Sequence, residues 1–385
     1  MLTIMLCRSA YTEAMIKRLL ILMIAFLAAG SASLQASEAA PADSAKAINP
    51  KEIIFEHLGD AYGWEVPFSH EKRIPLPIIV FGKDGGIHCF SSSRVAHGAT
   101  YTDGDATFKI GGHDSKYKGK LVEIVNGEEF RPIDFSITKN VAGIFITAIL
   151  VVLSVLSVAR WHARMGHKAP RKGVGLMEMA ISFIYDGAIK PVLKEKSMKF
   201  APYLLTVFFF ILFMNLLGLI VIFPGGANLT GNIAVTLTLA VLTFLVTNIF
   251  GTKHYWKEVF WPDVPVWLKF PLPIMPVIEI FGVFTKPAAL TVRLFANMMG
   301  GHMIVLVLTL LIFIFAPMGA FALGLSSVIS VMFSVFMILI DVLVSCIQAY
   351  VFMMLSCMFI SFAQEEGHEP NPVHEPQPAK IPGAN

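Results

Sequence analysis

Long apolar runs separated by short polar breaks set the pattern of the last two thirds of the chain. From Ala201 to Thr252 no Lys, Arg, Asp or Glu occurs, and the main break is Pro224-Gly225-Gly226-Ala227-Asn228. That length predicts two membrane helices, about Tyr203 to Phe223 and Asn232 to Gly251, joined by a short uncharged outer turn. Upstream, Val141 to Ala159 supplies 19 uncharged residues, enough for one span. Arg160, Arg164, Lys168, Arg171 and Lys172 follow it, so by the positive-inside rule this helix runs from outside to inside. Between these regions Ile181, Ile184, Tyr185, Ala188 and Val192 recur at near-helical spacing among charges. They predict an amphipathic helix over 174–199 lying on the cytoplasmic interface. Tyr255, Trp256, Phe260, Trp261, Trp267 and Phe270 lie among charges and prolines in 253–275, the composition of a headgroup-level segment. Two last apolar stretches, about Val277 to Phe315 and Leu325 to Phe362, are each near 38 residues. An upright span needs only ~20, so strong tilt is expected, with the turn between them at Pro317 and Gly319.

The beginning of the chain follows other rules. Met15-Ile16-Lys17-Arg18, the apolar run Leu19 to Ala29 and the small residues up to Ala36 have the order of a secretory signal peptide, expected to be cleaved after Ala36 or Ser33. Residues 37–136 then predict a small β-rich domain outside the cytoplasm. Ile74 to Phe81 and Ile87 to Phe90 flank the turn Lys83-Asp84-Gly85-Gly86, and Lys120 to Val125 and Phe130 to Ile137 flank Asn126-Gly127. Pro75 and Pro77 are expected to confine the first of these runs to a sheet edge. The end of the chain, 365–385, carries Glu365, Glu366, Glu369 and Glu375 with five prolines, and is expected to be a disordered cytoplasmic tail. The fold class is thus an all-α polytopic membrane protein over 137–364, with about five membrane helices of which the last two are long and tilted, plus the β-rich extracytoplasmic domain.

Composition sharpens this picture. Hydrophobic residues make up 55% of the 385 and charged ones 15%, with a mean hydropathy of +0.68, so lipid is the surrounding solvent. A net charge of +3, with the basic residues beside apolar spans, excludes a nucleic-acid binder. Cys7, Cys89, Cys346 and Cys357 form no disulfide framework or zinc spacing. His57, His70, His88, His97 and His113 share no ligand-type spacing, so neither a metal nor any other cofactor is expected.

The chemistry concentrates in the last two stretches. Residues 273–364 hold only Glu279, Lys286, Arg293 and Asp341 as Lys, Arg, Asp or Glu, and 47 residues without another such charge follow Arg293. An isolated arginine in a membrane is costly and marks an ion pathway or a fixed counter-charge. Arg293, Asn297 and Gly300 share one helical stripe, and Asp341, Ser345 and Gln348 share another. Antiparallel packing of the two helices, with Arg293 meeting Gln348, brings His302 and Asp341 to a second level farther out. Nine residues is about half a turn out of phase, so on a straight helix His302 faces away from the Arg293 stripe, and a bend or a third helix is required to join the levels. A histidine near a carboxylate exchanges protons near neutral pH, whereas arginine stays charged.

Lys286-Pro287, Arg293-Leu294-Phe295-Ala296-Asn297-Met298 with Gly301, Gln348-Ala349-Tyr350-Val351-Phe352-Met353-Met354-Leu355 and Glu365-Glu366-Gly367-His368 together resemble subunit a of the F-type ATP synthase, the stator channel subunit of its membrane sector. Met214-Asn215-Leu216-Leu217-Gly218-Leu219 and Thr230-Gly231-Asn232 with Thr236 add to the resemblance, which covers roughly 140–368. It implies that Arg293 is the stator arginine facing the rotor ring's carboxylates, with Asn297 and Gln348 beside it. His302 and Asp341 fall where some members carry an acid and a histidine, an exchanged pair. Glu279 matches a polar cytoplasmic position and Asn215 one near the outer entry path, while Gly218 stands where some members carry an acid. The implied protein is a channel subunit and no enzyme by itself. Its implied partners are the subunit c ring, the peripheral-stalk subunit b and membrane lipid, in a bacterial inner membrane with the mature N-terminus outside and the C-terminus cytoplasmic. No function transfers to 37–136. The alternative is a stand-alone cation-coupled transporter, which predicts an inverted repeat; the Arg293 motif has no second copy.

Overall fold

The computed structural model describes residues 59–365 apart from 67–68, 84, 105, 113–114, 116, 126–127, 167–172, 221–224 and 262–273. The expected signal segment, the tail after 365, His57 and His113 lie outside the described residues.

Among the described residues nine short strands precede the membrane helices: β1 (Gly63–Val66), β2 (Ser69–Pro75), β3 (Pro77–Phe81), β4 (Ile87–Ser91), β5 (Tyr101–Asp103), β6 (Ala106–Ile110), β7 (Leu121–Val125), β8 (Glu128–Phe130) and β9 (Ile133–Asp134). They pair antiparallel as β1-β2, β4-β3-β9 and β5-β6-β7-β8. Alternation along β3 sends Ile78 and Val80 inward onto Phe90, Phe108 and Leu121, and leaves Phe81 exposed. The two prolines do not make β3 an edge strand: it is the central strand of its sheet. Pro75 closes β2 and Pro77 opens β3 opposite Ser91, so each missing N–H falls at a strand end. Tyr62 anchors this core. Its hydroxyl donates to Asp134 Oδ2 at 2.5 Å and accepts from the Leu121 amide at 3.2 Å, and burial pushes the phenol well above the ordinary tyrosine range.

Helix α1 (Lys139–Met165) begins on Thr138, whose Oγ1 accepts the Val141 amide, and stops at Gly166, which adopts a φ of 61°. Helix α2 (Gly173–Ile184) runs through a π turn at Tyr185–Ile189 and short helical turns into α3 (Ser197–Leu219). The apolar stripe predicted here packs on the bundle, with Ile184 and Ala188 buried and Ile181, Tyr185 and Val192 against the same core. Helix α4 (Ile233–Ile249) starts on an Asn232 cap and meets α5 (Lys253–Phe260) at a bend of 106°. The long helices α6 (Ile274–Phe315) and α7 (Ala320–Ala363) are broken apart by a 3-10 turn containing Pro317 and by Gly319 at a φ of 114°. At 42 and 44 residues they reach about 63 and 66 Å, twice the hydrocarbon thickness of ~30 Å.

Four of the described helical segments are long and apolar enough to cross a membrane, or five if the bent α4–α5 pair is one span. The protein is a multi-pass membrane protein. Its core is the α3 face formed by Leu204, Phe209, Ile211 and Met214, against Leu290 and Leu294 of α6 and Phe352, Met353 and Cys357 of α7.

Candidate functional site

Small residues let α6 and α7 approach closely, and side-chain contacts define their antiparallel register. The Ser330 hydroxyl donates to the Leu308 carbonyl near the turn. Farther along, Asp341 lies against Gly301: a methyl group there would be 2.5 Å from Asp341 Oδ1 and 2.8 Å from its Cγ. One turn beyond, Asn297 Nδ2 donates to Gln348 Oε1 at 2.7 Å. Gln348 therefore meets Asn297 and not Arg293. Stripe spacing identifies the facing surfaces but leaves the register open by one turn.

Asn215, Asn297, Met298, Gly301, Asp341, Ser345 and Gln348 line one cleft between α3, α6 and α7. Asp341 Oδ2 and Gln348 Nε2 are buried there without a hydrogen-bond partner among the described residues. Asn215, 2% exposed, accepts the Thr230 hydroxyl at 2.8 Å. His302 makes no hydrogen bond or ion pair with Asp341. It turns instead to the third helix, where a methyl group on Gly218 would lie 2.8 Å from Met298 Cε and 4.0 Å from His302 Nε2. The level predicted to join His302 and Asp341 is thus real for the backbone and split for the side chains, Asp341 on Gly301 and His302 toward α3.

Arg293 lies on the exposed side of α6, with no ion pair or hydrogen bond to any described residue. Exposed Ala289 and Ala296 flank it on the same stripe. Glu279 is half-buried near the start of α6.

A second cleft was not legible as a group in the sequence. Thr243, Thr247 and Asn248 of α4, Tyr255 of α5 and Lys286 of α6 line it, with Pro287, Leu290 and Phe359. The bend between α4 and α5 folds Tyr255 back so that its hydroxyl donates to Asn248 Oδ1 at 3.4 Å. Thr236, Thr243 and Thr247 share one buried face of α4, and that polar stripe was the available signal. Along α6, Arg293 falls between Lys286 of this cleft, about 10.5 Å back, and Asn297 and Gly301 of the other, about 6 and 12 Å forward.

Residues 142–361, more than half of the chain, match the family model of the ATP synthase A chain, and 53–135 match that of a domain of unknown function. The chain is 40% identical over 244 residues to ATP synthase subunit a of Myxococcus xanthus, covering 61% of this chain and 75% of the relative. It is 41% identical over 248 residues to ATP synthase subunit a 2 of Chlorobaculum tepidum, covering 63% and 68%. With ATP synthase subunit a of Chloroherpeton thalassium the identity is 35% over 317 residues, covering 74% and 90%.

Proposed function

The chain belongs to the ATP synthase A chain family, and we propose from that membership that it is the stator of the membrane sector, offering two offset half-channels to a rotor ring with Arg293 between them. It is a channel subunit of the complex and not an enzyme by itself. The observation that carries the reading is Arg293 itself. A cation exposed on an apolar helix, without a partner among the described residues, is untenable in lipid and calls for an acidic surface supplied by another chain. Ala289 and Ala296 beside it leave room for that surface to come close.

In this reading a proton enters from outside past His302 and through the cleft of Asn215, Asn297, Asp341 and Gln348 and neutralises a carboxylate on the subunit c ring. The neutral site turns into lipid, because burying a neutral acid costs far less than burying its anion. On its return Arg293 favours the ionised form, and the proton leaves toward the cytoplasm past the cleft of Thr247, Asn248, Tyr255 and Lys286, with Glu279 nearby. Arg293 cannot itself carry the proton, since guanidinium stays charged. The unpartnered buried Asp341 Oδ2 and Gln348 Nε2 support the outer path, because polar groups left open in an apolar wall are where protons and water pass. The reading further gives the chain subunit b as a peripheral-stalk partner, a bacterial inner-membrane location, an extracytoplasmic strand domain and mature N-terminus, and a cytoplasmic C-terminus.

Purification of the tagged chain in mild detergent tests the assignment: a rotor ring should accompany it, and purification as a stand-alone transporter would overturn it. His302 and Asp341 act separately in this scheme. Single replacements of each by Ala should lower proton conduction by factors that multiply in the double variant. Restoration of conduction by exchanging the two residues would show that they work as a contacting pair.

A further inference from the structure

We propose that the strand domain, through Trp64, positions the outer turn between α3 and α4 and so sets the entrance of the outer half-channel; this rests on the half-channel reading above. Trp64 is 3% exposed and is buried in the same apolar core as α3, apart from the core of its own strand domain. Its indole Nε1–H donates to the Gly225 carbonyl at 2.8 Å, across 161 residues of chain. The adjoining segment is tied to the start of α1 as well. The Lys139 amide donates to the Ala61 carbonyl at 2.9 Å and the Asn140 amide to Asp60 Oδ1 at 3.2 Å. The segment just before Trp64 is therefore tied to α1 where Trp64 reaches into the turn.

The turn it holds leads directly to the cleft. Gly225 has no room for a side chain, since a methyl group would collide with the Ile220 and Leu217 carbonyls, and the Gly226 amide donates to Leu217 O at 3.2 Å. Ala227 and Leu229 are buried, and Leu229 packs against Gly143 of α1. Two outputs follow. The Thr230 hydroxyl fixes Asn215 Oδ1 at 2.8 Å, and the Ala227 carbonyl stands 3.4 Å from where a Gly218 methyl would be, on the surface that faces Met298 and His302. A shift of the turn moves Asn215 and the wall beside His302 together. Trp64 acts on the proton path through the turn, so it is a positioning residue, and its domain acquires a task that the family match to a domain of unknown function does not assign.

The test uses the whole ATP synthase complex carrying Trp64→Phe, which keeps an aromatic ring and removes the donor, with Trp64→Ala as the second variant. Amide exchange over 225–231 and passive proton conduction of vesicles stripped of the catalytic sector are read together. In Trp64→Phe, exchange over the turn should rise about fivefold, the change expected for one lost hydrogen bond, and conduction should fall about fivefold. Exchange in the β6–β7 ladder and the amount of assembled subunit should stay unchanged. Faster exchange with normal conduction would make Trp64 merely structural and overturn the proposal. So would lowered conduction with an undisturbed turn, no change in either, or failure of both variants to assemble. Arg293→Ala assayed in parallel separates the two readings: if coupling survives there, the half-channel reading falls, while the exchange data still report whether Trp64 holds the turn.

Discussion

Replacing Arg293 by Ala should abolish ATP synthesis driven by a proton gradient while leaving the chain inserted and folded. The side chain has no partner among the described residues, so its removal breaks no hydrogen bond there and opens no cavity in the α3–α6–α7 core. On the stator reading, what it removes is an interaction across the interface with the ring. A guanidinium about 4 Å from a carboxylate, at the effective dielectric of such a site, favours the ionised form by about 4 kcal/mol, enough to lower the acid's pKa by ~1–3 units. Without it the returning ring site stays protonated, and release slows by roughly ten- to a thousandfold, one order of magnitude per pKa unit. The barrier between the two clefts on α6 disappears at the same time, so stripped vesicles should leak protons. Arg293→Lys keeps the charge but not the planar fork and should retain only a small part of coupling. Normal ATP-driven proton pumping in inverted vesicles of Arg293→Ala would defeat the stator reading, whatever the fate of synthesis.

The helices carrying that arginine were legible because lipid imposes a simple code. Runs near 20 residues without charge, or near 38 with only one to three charges, can only be spans, and α1, α3, α4, α6 and α7 start and stop within six residues of the predicted limits. The facing surfaces of α6 and α7 were legible as well, since each has one polar stripe. Their register was not. Leu and Val offer similar packing one turn away, and the choice of Asn297 as the partner of Gln348 rests on the contact of Asp341 with Gly301 and of Ser330 with the Leu308 carbonyl, which are long-range facts. The second cleft depends on the bend after Ile249, an angle that the local composition of Gly251 and Thr252 permits without dictating. In the strand domain, proline was weighed by its presence and not by its place. Pro77 at the first position of β3 costs no ladder bond, so a central strand tolerates it.

Gly301 and Asp341 should give the second large effect, and two variants separate packing from proton transfer there. A methyl group at 301 meets all three terminal atoms of the Asp341 carboxylate within 2.8 Å, and the short aspartate side chain has little freedom to retreat. Gly301→Ala must push α7 from α6 or turn the carboxylate out of the cleft, an overpacking cost of ~1–3 kcal/mol that should appear as less assembled complex and a lower midpoint of thermal unfolding. Asp341→Asn keeps the volume and removes the titrating proton site. It should assemble normally and lower passive proton conduction roughly a hundredfold, the scale of one positioned acid–base group. The double variant Gly301→Ala with Asp341→Ala relieves the crowding, so it should recover assembly and still not conduct. Assembly and conduction recovering together would mean that the carboxylate is a packing element only. Normal conduction in Asp341→Asn would remove Asp341 from the proton path and leave the outer half-channel to Asn215, Asn297, His302 and Gln348, a set in which only the imidazole can exchange a proton near neutral pH.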